Sequence, residues 1–502
     1  MILIHPPVSK PSEPPIGIAH LSAALSVHGV RHYLLDANLE GLLHLLHRRH
    51  DPADTWTRRA QRNLSRNLAA LKDLGTYTNM DRYRRAVLEL NRLLHTGTDA
   101  HGARVSLADY TDAALSPLRS DHLLWSADHP EENIFYPYFR DRIIGLFEEA
   151  QPSHVGFSLN YLSQALSTFA MVGFIKRDFP GVKLVLGGSL VTSWLRGKIW
   201  PSSLEGLVDH AVAGPGESFL LSLAGVADGR PGTLPSYESL PLDNYLSPGR
   251  ILPYSTSRGC YWNKCSFCPQ RAEGNRYAQG SPGRVAEDLT TLTQRLRPAL
   301  IHITDNAVSP AMMHALCANP PGPPWYGFAR ITPQLTDDDF CRTLKDSGCV
   351  MLKLGLESGD QGLLDLMNKG IEVSVMSRAL RSLKRAGIAV YGYLLFGTPF
   401  ESEHEARETL SFVVSHSNTI DFLNVALFNL PRNSPDTGKV KTKDFYEGDL
   451  SLYTDFLHTR DWSRRKVRLF LKNEFNRHPA VRPILKRRLP HFTSNHAPFF
   501  VM

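Results

Sequence analysis

The chain opens on short apolar runs separated by amphipathic stretches. "ILIH" predicts a strand, "PPIGIAHLSAALSVHGV" a helix opened by prolines and closed at Gly29, and "RHYLLDAN" a second strand. Strand, helix and strand within forty residues make a βαβ unit and imply a parallel sheet. From about 41 to 140 the pattern changes to long polar helices such as "RRAQRNLSRNLAALKDL" and "DRYRRAVLELNRLLH", read as a helical insertion. The sheet then resumes with "HVGFSL", "VKLVLGG" and "DHAVAG" as strands and "SQALSTFAMVGFIKRDF", "SLEGL" and "GESFLLSLAG" as helices. Five strands in this order suit a Rossmann-like, doubly wound α/β sheet, whose ligands bind beyond the carboxyl ends of the strands.

A Pro- and Gly-rich connector, "GRPGTLPSYESLPLDNYLSPGR", places a boundary near 236. A second alternating series follows. Its predicted strands are "ILPYSTS", "LIHITD", "WYGFAR", "VMLKLGLE", "AVYGYLLFG" and "DFLNVALF", with helical stretches between them. Six βα units in about 180 residues suggest a partial (β/α)6 barrel with its active face at the strand carboxyl ends. The expected domains are therefore 1–235 with its insertion, 236–435, and a basic, mostly helical extension over 436–502.

Composition narrows this picture only modestly. At 502 residues, 42% hydrophobic and 21% charged, the chain is a folded protein too long for one core. No apolar run approaches the roughly 18 residues that span a bilayer, and "MILIHPPVSK" lacks the features of a signal peptide, so a cytoplasmic protein is expected. The net charge of +7 comes from basic helical faces after residue 46 and in the tail. No nucleic-acid-binding module accompanies that charge, and nucleic acid is not an expected partner.

The loops beyond the first-domain strands share a composition suited to close approach of a large ligand. They are "HPP" with Pro6 and Pro7, "DAN" with Asn38, "SLNY" with Ser158 and Tyr161, "GGS" with Gly187 and Gly188, and "GPGE" with Gly214, Gly216 and Glu217. His5, His154 and His210 read as satisfied structural histidines.

"SRGCYWNKCSFCPQ" concentrates Cys260, Cys265 and Cys268 in a chain of six cysteines, on the loop leaving the first barrel strand. Three readings compete. Structural zinc wants four closed ligands, and no further Cys or His completes such a pattern nearby. Buried structural thiols would keep poor company with Gly259, Asn263 and Lys264. An iron–sulfur cluster held by only three cysteines leaves one iron open, as a substrate-binding metal site requires.

On these residues the barrel resembles the radical S-adenosylmethionine (SAM) enzymes. The resemblance implies that Cys260, Cys265 and Cys268 hold a [4Fe–4S] cluster, that SAM chelates the fourth iron, and that one-electron cleavage yields a 5′-deoxyadenosyl radical. The family's usual spacing is C-x₃-C-x₂-C, whereas the first gap here holds four residues, Tyr261 to Lys264. "HITDNAVS" resembles the second-strand end and implies Asp305 and Asn306 near SAM. Arg330 closes the third strand, and "GLESGDQGLLDLMNKG" implies roles for Glu357 and Ser358. "LLFGTPFESEHEARETLSF" implies Gly397 and Pro399 beside the adenine. A plain Gly-Gly-Glu motif is absent.

The first domain is similar to the cobalamin-binding domain of one radical SAM subclass, which implies cobalamin over the strand-end loops. The nearest match to its D-x-H-x-x-G motif is "DANLEG", with Asn38 in the histidine's place, so no histidine from this motif is expected on cobalt. The resemblance implies methyl transfer to an unactivated carbon of a small-molecule or peptide substrate, with an electron donor such as flavodoxin or ferredoxin. Cobalamin-assisted rearrangement, cyclisation or oxidation and a non-enzymatic cobalamin sensor are the alternatives. A methylthiotransferase would carry three further cysteines before Cys260, where the chain has none. The end "HFTSNHAPFFVM" reads as a docked tail, with a lid over the barrel mouth as the rival.

Overall fold

Strand β1 (Ile2–His5) is buried at every position and lies inside a five-stranded sheet with β2 (Tyr33–Asp36), β3 (His154–Ser158), β4 (Lys183–Gly187) and β5 (His210–Ala211). The order is β2-β1-β3-β4-β5, and every neighbouring pair is parallel. Sequence neighbours part company between β1 and β3. The connections leaving those two strands, through "HPPVS" and "LNY", run to opposite sides of the sheet order, which makes this a topological switch point, where open α/β sheets take their ligands. The apolar helix Leu162–Asp178 follows β3 and is buried along most of its length.

The computed structural model describes residues 1–48, 54–99, 102–226, 234–443, 448–487 and 496–501. The chain divides into two compact units with a seam after Ile251. The expected seam at 235/236 moves because the connector is tied into the first unit. Ser236 N donates to Ala19 O at 3.0 Å and Leu246 N to Pro11 O at 2.8 Å. The Tyr245 hydroxyl donates to Asp36 Oδ2 at 2.6 Å. Composition marks a connector but not what it packs on. The insertion contains helices Thr55–Arg62, Leu64–Lys72, Met80–Thr98 and Ser120–Asp128, and also a small hairpin, Ala103–Val105 with Tyr110–Asp112.

The second unit carries six strands: β6 (Ile251–Tyr254, whose first residue lies at the seam), β7 (Leu300–Val308), β8 (Trp325–Ala329), β9 (Cys349–Glu357), β10 (Ala389–Phe396) and β11 (Phe422–Leu427). They neighbour one another in chain order, and β7 to β11 pair in parallel. Helices follow them, with side-chain caps at Ser309, Asp337 and Ser402 that satisfy the first free amides. This is the expected partial (β/α)6 barrel.

The region after 436 is not simply helical. Leu430–Pro431 and Thr442–Lys443 each pair antiparallel with Tyr453–Phe456, the central strand of a small sheet. Phe456 packs there with Phe428 and Leu430, a tertiary gain that overrides the helical reading. Residues 448–452 belong to the first unit, where Asp449 accepts from Ser120 N and Oγ at 2.9 and 2.6 Å. Helix Arg464–Asn473 has the basic face read from the sequence. Among the described tail residues, the His496 ring packs with its centroid 4.6 Å from those of both Tyr391 and Phe422, tilted against the first and edge-on to the second. Those rings lie near the amino ends of β10 and β11, so this stretch is docked at the end of the barrel away from the mouth. Residues 488–495, the rest of the lid reading, lie outside the described residues.

Candidate active site

The cysteine loop is rooted at both ends. Ser257–Arg258 pairs antiparallel with Ala278–Gln279, closing the loop that carries Cys260, Cys265 and Cys268. Asp305, at 2% exposure on β7, accepts from Thr256 N and Oγ1 at 2.7 and 2.6 Å. It also accepts from Ser257 N and Oγ at 3.2 and 2.5 Å. Burial pushes its carboxyl pKa upward, against the lowering effect of those four donors.

All three cysteines line one cavity of about 430 Å³ at the carboxyl ends of the barrel strands. Its polar lining includes Asn306, Arg330, Glu357 and Lys369. The lining also includes the largely apolar Phe328, Tyr393, Leu395 and Phe428, with Asn429 and Tyr453. Arg330 Nη1 stands 3.6 Å from Cys265 Sγ, and Nη2 donates to the carbonyl of Lys369. Lys369 Nζ meets Glu357 Oε1 at 2.8 Å, with both side chains mostly buried. Burial raises the thiol pKa of Cys265, while the Lys369 and Arg330 charges pull it down. Burial outweighs those two cations, so the net shift of the thiol is upward, and the cations offset part of it.

Among the described residues, no three His, Cys, Asp or Glu side chains converge closely enough to hold one metal ion. The three thiols instead face a shared cavity with no fourth cysteine among its walls. That donor set fits a [4Fe–4S] cluster with one iron left for an exogenous ligand.

The other expected SAM residues divide. Asn306, Arg330 and Glu357 reach the cavity. Asp305 does not line it, because its carboxylate is occupied with the root of the cysteine loop. Ser358 is fully buried, with its Oγ 3.0 Å from Thr409 Oγ1 and accepting from Asp360 N at 3.0 Å. Gly397 donates its amide to Glu401, and Pro399 offers its carbonyl to Thr459 Oγ1 at 3.3 Å; neither lines the cavity.

That Glu401 is fully buried, accepts from Trp462 Nε1 at 2.9 Å, and has its pKa pushed by burial up to about 8 from 4.5. Between these values the folded state keeps a proton that the unfolded state has released, so stability falls as pH rises through the window. The slope reaches about 1.4 kcal/mol per pH unit. Glu401→Gln mimics the protonated form, so its melting temperature is expected to fall less than wild type's between pH 5 and pH 8. Parallel melting curves for the two proteins would refute this.

In the first unit, Pro6 O accepts from Gln164 Nε2 at 2.7 Å and Asn38 Oδ1 from Ser9 N at 2.7 Å, both buried. Pro7 is buried, and Ser158 is held by Asn160 Nδ2 at 3.1 Å. Tyr161 is 57% exposed beside this switch point. Gly187 O accepts from Leu159 N, and Gly188 sits at φ 105° with Leu159 backbone 2.3 Å from where a Cβ would fall. No L side chain fits that close approach. Gly214 N donates to Thr192 Oγ1 at 2.9 Å, Gly216 O accepts from Leu220 N, and the buried Glu217, the next residue, starts the following helix. Buried His5 pairs with Ser9 Oγ at 2.9 Å through Nε2, and burial lowers its pKa.

Sequence reasoning passed over Lys369, Trp262 and the aromatic lining. Lys369 stood inside the quoted "LMNKG" and Trp262 inside the four-residue gap, but only contacts give them a role. Tyr453 came from a segment read as helical.

Residues 254–413 match the Radical SAM superfamily. An uncharacterized methyltransferase of Pyrococcus horikoshii is 25% identical over 272 residues, 52% of this chain and 52% of its own length. An anaerobic magnesium-protoporphyrin IX monomethyl ester cyclase of Rubrivivax gelatinosus is 24% identical over 187 residues, 36% of this chain and 33% of its own. The chain thus spans about half the length of the first of these curated relatives and a third of the second. Among solved structures, the radical SAM methyltransferase TsrM of Kitasatospora setae, with cobalamin and a [4Fe–4S] cluster bound, matches with a TM-score of 0.53 at 16% identity, covering 88% of this chain and 77% of that one. The cobalamin-dependent SAM radical enzyme OxsB with aqua-cobalamin bound matches at 0.51 and 13% identity, over 64% and 58%. Among the described residues no helix is long and apolar enough to cross a membrane. Residues 254–413 thus carry a domain of the Radical SAM superfamily with the three thiols at its barrel mouth, in a chain whose fold resembles those of the TsrM and OxsB structures.

Proposed function

We propose that the chain is a cobalamin-dependent radical SAM enzyme that transfers a methyl group to an unactivated carbon. The observation that carries this is the set of three cysteines on one barrel-mouth cavity, in a chain whose first unit has the open parallel sheet of a ligand-binding domain. When bound, the cluster and SAM supply one-electron cleavage of the sulfonium, and cobalamin supplies a transferable methyl group.

The chain's own residues do the rest. Cys260, Cys265 and Cys268 would hold the cluster, and Asn306, Arg330 and Glu357, which line the same cavity, would offer polar atoms to SAM. Phe328, Tyr393, Leu395 and Phe428 add apolar lining that would keep water away from a substrate radical. The strand-end loops with Pro6, Pro7, Ser158, Tyr161, Gly187, Gly188, Gly214, Gly216 and Glu217 would receive cobalamin. Asn38 is committed to the Ser9 amide and supplies no imidazole. The substrate is a small molecule or peptide, and a flavodoxin- or ferredoxin-like donor supplies the electron.

The resemblance to a methyltransferase supports methyl transfer, while that to a cyclase keeps cobalamin-assisted cyclisation or oxidation as a second reading. Anaerobic reconstitution with iron, sulfide, cobalamin and SAM, followed by mass spectrometry with cell extract, separates them. Methylation yields S-adenosylhomocysteine together with 5′-deoxyadenosine. Deoxyadenosine alone favours the second reading, and a chain that binds cobalamin but no iron is a sensor.

A further inference from the structure

The four-residue gap between Cys260 and Cys265 contains Trp262, whose indole is held on several sides. Nε1–H donates to the carbonyl of Asn368 at 2.9 Å. The Arg330 guanidinium lies 4.5 Å from the ring centroid and the Lys264 ammonium 4.8 Å. Gly370 packs closely against the ring: at φ 63°, a Cβ placed there would fall 2.0 Å from it. The turn over 368–370 therefore receives the indole, and its middle residue, Lys369, offers its carbonyl to Arg330. Arg330 is fixed by the indole face, by that carbonyl and by Cys265 Sγ at 3.6 Å. Its planar fork makes all three contacts at once, which a lysine could not.

We propose that Trp262 is a positioning residue that acts through Arg330 to set the reduction potential of the cluster. This rests on the reading of the three cysteines as cluster ligands. A cationic N–H directed at a ligating sulfur stabilises the reduced, more negative cluster and raises its potential. Without the indole, Arg330 loses the surface that aims it at Cys265. The additional residue in the loop thus has a use: it brings an aromatic side chain over the guanidinium.

The test is an anaerobic redox titration of the reconstituted full-length chain, followed by electron paramagnetic resonance (EPR), with iron and sulfide assays to establish loading. Trp262→Ala and Arg330→Met are each expected to shift the midpoint to more negative potential at unchanged iron content. Trp262→Phe keeps a ring but loses the Nε1 donor and should fall between wild type and Trp262→Ala. In the Arg330→Met background, Trp262→Ala should add no further shift. An unshifted Trp262→Ala midpoint, or a full additional shift in the double variant, overturns the proposal. If Trp262→Ala does not load, Trp262→Phe and Gly370→Ala decide: shifts in the same direction support it, and unshifted midpoints overturn it. A wild-type chain that takes up no iron overturns the cluster reading and this inference with it; a loaded wild type with unshifted variants overturns the inference alone.

Discussion

Replacing Cys260, Cys265 or Cys268 singly by alanine is expected to abolish SAM cleavage and strip the anaerobically reconstituted chain of most of its iron. Each thiol would bind one iron, and two thiolates cannot retain a cluster that already leaves one iron without a protein ligand. The controls are internal. Cys317, Cys341 and Cys349 do not line the cavity, and Cys349 is fully buried with its thiol pKa pushed up by desolvation. Cys317→Ala and Cys341→Ala should keep wild-type iron content and deoxyadenosine formation. Iron assay and mass spectrometry of 5′-deoxyadenosine provide the check. Equal losses across both groups would show that thiol removal harms folding generally and would remove the special standing of the trio.

Lys369→Met is expected to cost the barrel about 3–5 kcal/mol, because it leaves the Glu357 carboxylate buried without its cation. The pair stands at 2.8 Å with side-chain exposures of 6% and 12%, so solvent does little to screen it. Methionine preserves the length of the lysine stem, which makes charge the main difference. Glu357→Gln in the same background should recover most of the loss, and the double-mutant cycle should return a coupling of at least about 2 kcal/mol. Urea denaturation followed by tryptophan fluorescence measures both. Additive effects would mean that the two groups do not depend on one another. Because both line the cavity, Glu357→Gln should also weaken SAM binding, whereas the control Cys317→Ala should not.

The alternation of apolar and amphipathic runs made the order of strands legible in both units, and "SRGCYWNKCSFC" made the chemistry legible. Several parts were not. Asp305 was grouped with Asn306 because they are adjacent, yet alternate strand positions face opposite ways. Asn306 looks into the cavity while Asp305 turns to the loop root. The connector's attachment to the first unit depends on Tyr245 reaching Asp36, 209 positions away in sequence, which no local pattern records. The strands in the extension owe their form to Phe456 meeting Phe428, a partner from another part of the chain. Ser358 and Gly397 were placed near the correct strand ends, but one residue's difference in register decides whether a group lines a cavity or caps a turn.

The most direct test of the account is Mössbauer spectroscopy of the anaerobically reconstituted ⁵⁷Fe protein, recorded before and after adding SAM. The account predicts a [4Fe–4S] cluster in which a single iron site shifts on addition, because only that site lacks a cysteine. A cluster whose four sites are unaffected by SAM, or a chain that retains zinc and no iron, would contradict it.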